Sequence, residues 1–149
     1  MATSITPATL TVTINESVIL NGYERSGTNT LTIASVTEVD NRIVNVGTSE
    51  VHIIGFGAAN GQGSFVRTDV KYIRITNKDD TNYVTLGVSK TGADTFYVKL
   101  EAGKSFMLGN DDLEVDASGG ASSAFVEANN ISAKANGAAC DVEYFVALT

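Results

Sequence analysis

Between Asp69 and Leu108 apolar and polar positions alternate in four short runs separated by tight polar turns. Val70, Tyr72, Arg74 and Thr76 alternate with Lys71, Ile73 and Ile75. Val84, Leu86 and Val88 alternate with Tyr83, Thr85 and Gly87, and Phe96, Val98 and Leu100 with Tyr97, Lys99 and Glu101. Ser105 to Leu108 makes the fourth and shortest run. Period two over short runs is the pattern of half-buried strands. Taken in succession, with turns at Asn77 to Asn82, Lys90 to Asp94 and Ala102-Gly103, the runs predict a β-meander with one dry face and one wet one.

The same reading extends to both ends. Thr9 to Leu20 predicts a long strand, kinked near Asn15-Glu16 where the alternation of Leu10, Val12 and Ile14 shifts, and Asn21-Gly22 predicts a turn. Thr30 to Val39 follows as a strand, with Asp40-Asn41 as a turn, then Arg42 to Val46 and Val51 to Phe56. Gly57 to Ser64 reads as a flexible loop into the meander. Beyond the polar stretch Gly109 to Ser118, short runs at Ala124 to Val126 and Ile131 to Ala135 precede a turn at Asn136-Gly137 and a terminal strand from Ala139 to Leu148. No segment carries apolar residues at helical spacing. The expectation is a single all-β domain over residues 1–149, an antiparallel β-sandwich of jelly-roll type with about eight to ten strands.

Composition narrows the function classes. A chain of 149 residues with 43% hydrophobic and 18% charged residues can bury a core without staples. Its net charge of −7 and ten scattered basic residues argue against a nucleic-acid partner, which draws on clustered Lys and Arg. Neither a basic leader segment nor a long apolar run is present, so a soluble chain without a membrane partner is expected. The single cysteine, Cys140, excludes an intrachain disulfide, and its place in the run Cys140, Val142, Tyr144, Val146, Leu148 marks a buried, inert thiol.

Candidate chemistry is sparse. His52 is the only histidine and sits in a strand, with no nucleophile elbow to serve it. Gly55, Gly57, Gly61 and Gly63 imitate a dinucleotide loop, but the spacing is wrong and a strand follows where a helix N-terminus is needed. Asp79-Asp80 and Asp111-Asp112, with Glu114 and Asp116, offer oxygen ligands that calcium could use, yet without EF-hand spacing; aspartates also recur in turns for their own backbone bonds. No cofactor, no metal and no catalytic residue are expected.

What remains is a surface. If Val84, Leu86, Val88, Phe96, Val98 and Leu100 face the core, Tyr83, Tyr97 and Lys99 face away from it, and by the same parity so do Tyr72 and Arg74. The pattern places these five on one outer face of neighbouring strands. Tyrosine and arginine are enriched where protein surfaces meet. Two readings stay open: a protein interface, or ordinary cross-strand pairs that are solvated or covered by another part of the chain.

The wording of two segments adds a lineage. Lys71-Tyr72-Ile73-Arg74-Ile75-Thr76-Asn77-Lys78-Asp79-Asp80-Thr81-Asn82-Tyr83-Val84-Thr85-Leu86, with Val98-Lys99-Leu100-Glu101-Ala102-Gly103-Lys104-Ser105-Phe106, resembles small structural proteins of tailed bacteriophages, cyanophages in particular. Thr9 to Ile14 and Leu20 to Tyr23 resemble the same group. The resemblance implies a non-enzymatic virion component, assembled in the host cytoplasm, oligomeric and bound to other virion proteins. A capsid decoration or cement role leads; a neck, tail or baseplate component and a carbohydrate- or receptor-binding module are the alternatives. The resemblance carries no active-site residue.

Overall fold

The computed structural model describes residues 4–61, 63–90, 95–110, 113 and 128–149, and all regular structure among them is strand. In chain order the strands are β1 (Ala8–Glu16), β2 (Ile19–Leu20), β3 (Tyr23–Glu24), β4 (Gly27–Val36), β5 (Glu38–Val46), β6 (Val51–Gly57) and β7 (Ser64–Val66). There follow β8 (Val70–Asn77), β9 (Val84–Ser89), β10 (Thr95–Leu100), β11 (Ser105–Gly109), β12 (Asn130–Ala135) and β13 (Cys140–Leu148).

Two sheets form the body. One runs in the order β11-β8-β13-β5 and the other β10-β9-β12-β6-β7. The pairings β5 with β13, β6 with β12, β8 with β11 and β9 with β10 are antiparallel and nested, first strand with last. Rolling up such a ribbon of hairpins gives a jelly roll, as the alternation predicts. Among the described strands only β7 departs, pairing in parallel with β6 where the predicted loop Gly57 to Ser64 ends. Ile73, Ile75, Val142, Tyr144 and Val146 of one sheet and Ile54, Leu86, Ile131 and Ala133 of the other share one buried core. Cys140 belongs to it, buried as expected.

The consecutive meander is not what forms. Of its consecutive strands only β9 and β10 pair; β8 and β11, first and last of the four, pair with each other in the opposite sheet. Asn77 to Asn82 and Ala102-Gly103 are therefore arches between sheets rather than hairpin turns. One buried side chain secures both arches. Asn77 donates from its amide to the carbonyls of Asn82 (2.8 Å) and Leu100 (3.2 Å), while its Oδ1 accepts from the Asp79 amide (3.0 Å). Its backbone exchanges bonds with Lys104 and Gly103 at the second arch. Asn136-Gly137 likewise joins strands of different sheets: Asn136 binds the backbone of Tyr83 through its own amide and its Oδ1.

Asp40-Asn41 forms no turn either. Both residues lie inside β5, which pairs with β13 along its whole length, and Tyr144 donates its hydroxyl to Asp40 Oδ2 at 3.2 Å. The break falls at Thr37, whose amide bonds the Leu148 carbonyl. The expected strand at Ala124 to Val126 and the acidic cluster from Asp111 to Asp116 lie outside the described residues.

A third layer is added by a hairpin. β1 pairs with β4, and β2 with β3, in one unbroken register from Leu10↔Ile33 to Leu20↔Tyr23. Strand structure lapses at Ser17-Val18, next to the expected kink at Asn15-Glu16, without a shift of register. Asn21 (φ 51°) and Gly22 (φ 81°) close the tip, the left-handed pair that a two-residue hairpin turn requires. At the base, one extra residue in β4 forms a bulge with Ser35 at φ 59°. Leu10, Val12, Leu31 and Ile33 then pack on Tyr72, Ala147 and Phe145 of the four-stranded sheet.

Candidate interaction surfaces

The parity that set Tyr72, Arg74, Tyr83, Tyr97 and Lys99 outward is correct, but these residues do not share a face. Tyr72 and Arg74 stand on β8 in the four-stranded sheet. Tyr97 and Lys99 on β10, with Tyr83 just before β9, stand on the five-stranded sheet. The two groups look out from opposite sides of the sandwich. Crossing between sheets at Asn77 to Asn82 separates them, and alternation alone does not reveal that crossing.

Tyr72 is not free to meet a partner. It is 6% exposed, lies edge-on to Phe145 with ring centres 6.0 Å apart, and is roofed by the ribbon. Its hydroxyl reaches Met107 Sδ at 3.5 Å. Gly109 makes the fit possible, since a Cβ there would sit 2.6 Å from the Tyr72 ring. Burial raises the Tyr72 phenol above its ordinary value, with the Arg74 charge pulling part of the way back. Arg74 is half-buried beside it and donates to Glu143 Oε1 at 2.5 Å, while Lys78 lies 3.8 Å from the other oxygen of the same carboxylate. For this pair the reading of a surface covered by the chain itself holds.

The second group stays open. Lys99 Nζ sits 4.2 Å from the centre of the Tyr83 ring, inside cation–π range, and also contacts Glu101 Oε1 at 2.5 Å. The Glu101 hydrogen bond raises the Lys99 ammonium above its ordinary value. Tyr97 is 61% exposed and lies across from Gly87, where an added Cβ would come within 3.0 Å of its ring and 2.8 Å of Ser132 Oγ. That hydroxyl, on the neighbouring β12, donates to Glu50 Oε1 at 2.5 Å. Tyr97 thus fills the space of a missing side chain as well as presenting a ring to solvent.

A cleft of about 600 Å³ opens between β5 and β6 and includes His52 with Arg42, Asn45 and Tyr144. Among the described residues no serine, threonine or cysteine lines it. Asp79 Oδ1 accepts from the amides of Thr81 (2.8 Å) and Asn82 (2.6 Å), and these bonds hold its carboxyl below its ordinary value. Its oxygens organise a turn. Among the described residues no three His, Cys, Asp or Glu side chains group to hold a metal ion.

One surface escaped the sequence reading. Every residue from 13 to 30 is exposed, so the ribbon runs on past the sheet that supports its base. The unbroken register keeps Ile14, Val18 and Leu20 on the face that Leu10 and Val12 turn toward the sheet, with Tyr23 and Arg25 opposite Leu20 and Val18. The available signal was one-sided: Leu10, Val12, Ile14, Val18 and Leu20 at alternate positions, interrupted at Glu16, running up to the turn Asn21-Gly22.

No protein-family profile matches the chain, and no curated protein matches it. Among solved structures it is similar to a chain from Bacillus, described in the words "Bacillus endospore appendages form a novel family of disulfide-linked pili". The identity is 13%, the match covers 74% of this chain and 84% of that one, and the TM-score is 0.42. A likeness of that degree assigns neither fold nor role.

Proposed function

We propose that this chain is a non-enzymatic structural protein of a tailed-phage virion, a decoration or cement protein that holds to the particle through its sheet faces and its ribbon. The observation that carries the reading is the ribbon overhang: an apolar stripe kept out of the chain's own core is a surface for another protein, not a vessel for chemistry. The phage-like wording of residues 71–86 and 98–106 supports the virion as its setting. Many symmetric copies make weak single contacts cumulative.

Immunogold microscopy of the source particles with an antibody to this chain tests the setting, and label confined to the capsid shell is the expected result. Unlabelled particles would end the virion reading, and label at the neck, tail or baseplate would move the role there. The outer face of the five-stranded sheet is tested by Tyr83→Glu, with undiminished occupancy removing that face. The exposed Tyr97 ring favours a second reading as a carbohydrate-binding face, because sugars stack on such rings. A glycan array separates the two, since a cement protein leaves every sugar unbound.

A further inference from the structure

We infer that the ribbon overhang docks on the outer face of β5 of a second copy of this chain, joining copies head to tail. This rests on the structural role proposed above and supplies one of its partners.

The chain shows both halves of the contact. At the ribbon base, Leu10, Val12, Leu31 and Ile33 already recognise the outer face of the four-stranded sheet, where they cover β8 and β13. The ribbon leaves bare the outer side of β5, the far edge of that sheet, where Val39 is 51% and Ile43 63% exposed. The stripe that does the covering continues outward as Ile14, Val18, Leu20 and Tyr23, with Leu20 61% and Tyr23 70% exposed. Exposed apolar side chains on β5, where Val39 and Ile43 alternate with Asn41 and Asn45, and an unspent length of the element that covers the rest of that sheet therefore occur in one molecule.

The overhang does not reach its own β5. Val12, Ile14 and Leu31 approach Met107 and Gly109 of β11, which is the opposite edge of the sheet from β5. From there the tip extends away over roughly eight residues, about 25 Å at strand rise. Four strands at their usual spacing span only about 15 Å, so the overhang is long enough to cross a neighbour's β5. The stripe is mixed, carrying Glu16 and Arg25, and beside Ile43 the Glu143 carboxylate is already held by Arg74 and Lys78, so no unpaired charge need be buried there. A lone two-stranded ribbon is marginal in water, and a third apolar surface is what stabilises it.

Because the two surfaces differ, the contact is heterologous: copies close into a ring if the rotation allows and otherwise extend as a row. Mixing two variants tests this. Leu20→Asp removes the tip and keeps the face; Ile43→Asp removes the face and keeps the tip. In sedimentation velocity the unaltered chain is expected to associate with rising concentration, and each variant alone to remain monomeric, its contact weakened at least about 30-fold. An equimolar mixture is expected to form heterodimers and nothing larger, since one good contact is left per pair. Both sites are exposed, so unchanged circular dichroism reports intact folding.

A monomeric unaltered chain, a Leu20→Asp variant that associates normally, or a mixture that stays monomeric would each overturn the inference. If Leu20→Asp loses particle occupancy while the unaltered chain is monomeric, the ribbon serves another virion protein; this inference falls and the virion reading stands. Association of the purified chain with no label on particles gives the reverse.

Discussion

The side-chain amide of Asn77 donates to the carbonyl of Leu100, linking the end of a strand in one sheet to the end of a strand in the other. With the bond to Asn82 and the one accepted from Asp79, a single fully buried residue fixes the two arches that turn a string of hairpins into a rolled sandwich. Asn77→Ala would leave two carbonyls and one amide without partners. Unsatisfied buried groups cost roughly 1–3 kcal/mol each, and relaxation and water recover part of that. We expect a loss of about 3 kcal/mol in urea denaturation with little change in slope. A loss below about 1 kcal/mol would mean that the arches hold without it.

Strands and turns differ in how far they can be read from the sequence. Strand positions and inward residues follow from alternation, and Ile73, Ile75, Leu86 and the Cys140-to-Leu148 face all lie where period two puts them. Pairing does not follow. Asn21-Gly22 closes a hairpin while the same dipeptide at Asn136-Gly137 spans two sheets, and the difference lies with Tyr83, 53 residues away, whose amide Asn136 accepts. The five proposed interface residues divide between opposite faces for the same reason. The ribbon's alternation is local, but the break in apolar content at Glu16 masks a register that never shifts, and how far the ribbon outruns its sheet depends on tertiary pairing.

Gly87 and Tyr97 give a second prediction, which separates a structural role for the tyrosine from a binding one. A methyl at residue 87 meets the Tyr97 ring and the Ser132 hydroxyl at once, and overpacking of this kind costs about 1–3 kcal/mol. In Gly87→Ala the ring must swing outward. The cost is therefore expected to shrink in a Tyr97→Ala background, a coupling that a double-mutant cycle measures. Additive effects would show that the ring does not rest on the glycine.

Ser35 holds a left-handed backbone at the bulge that seats the ribbon on its sheet. A β-branched residue tolerates that conformation poorly, so Ser35→Val should cost about 1–3 kcal/mol. Ser35→Gly should be neutral or slightly stabilising. If the strain is local to the ribbon, Ser35→Val will speed hydrogen exchange at Leu10 and Ile33 before it affects Ile73. Equal acceleration throughout would mean that ribbon and sandwich unfold as one.

Alkaline pH should unfold the protein through groups that lose their protons reluctantly. Burial is the leading cause that raises Tyr72, Tyr144 and Cys140 above their ordinary values; Asp40 adds to the effect at Tyr144 and Asp79 at Cys140, while Arg42 opposes it at Tyr144. For each group the native state keeps a proton that the unfolded chain has given up, so deprotonation favours unfolding. The contribution is complete below the unfolded values, about 8.5 for the thiol and about 10 for the phenols. It is lost as pH climbs through the raised native values. Urea midpoints should therefore be flat near about pH 8 and fall steeply above about pH 10. Tyr144→Phe gives up the hydrogen bond to Asp40, about 1 kcal/mol at neutral pH, and in exchange has one fewer phenol to ionise. Its decline above about pH 10 should be shallower than that of the unaltered chain, and the same slope in both would show that the Tyr144 hydroxyl is not the group that resists ionisation.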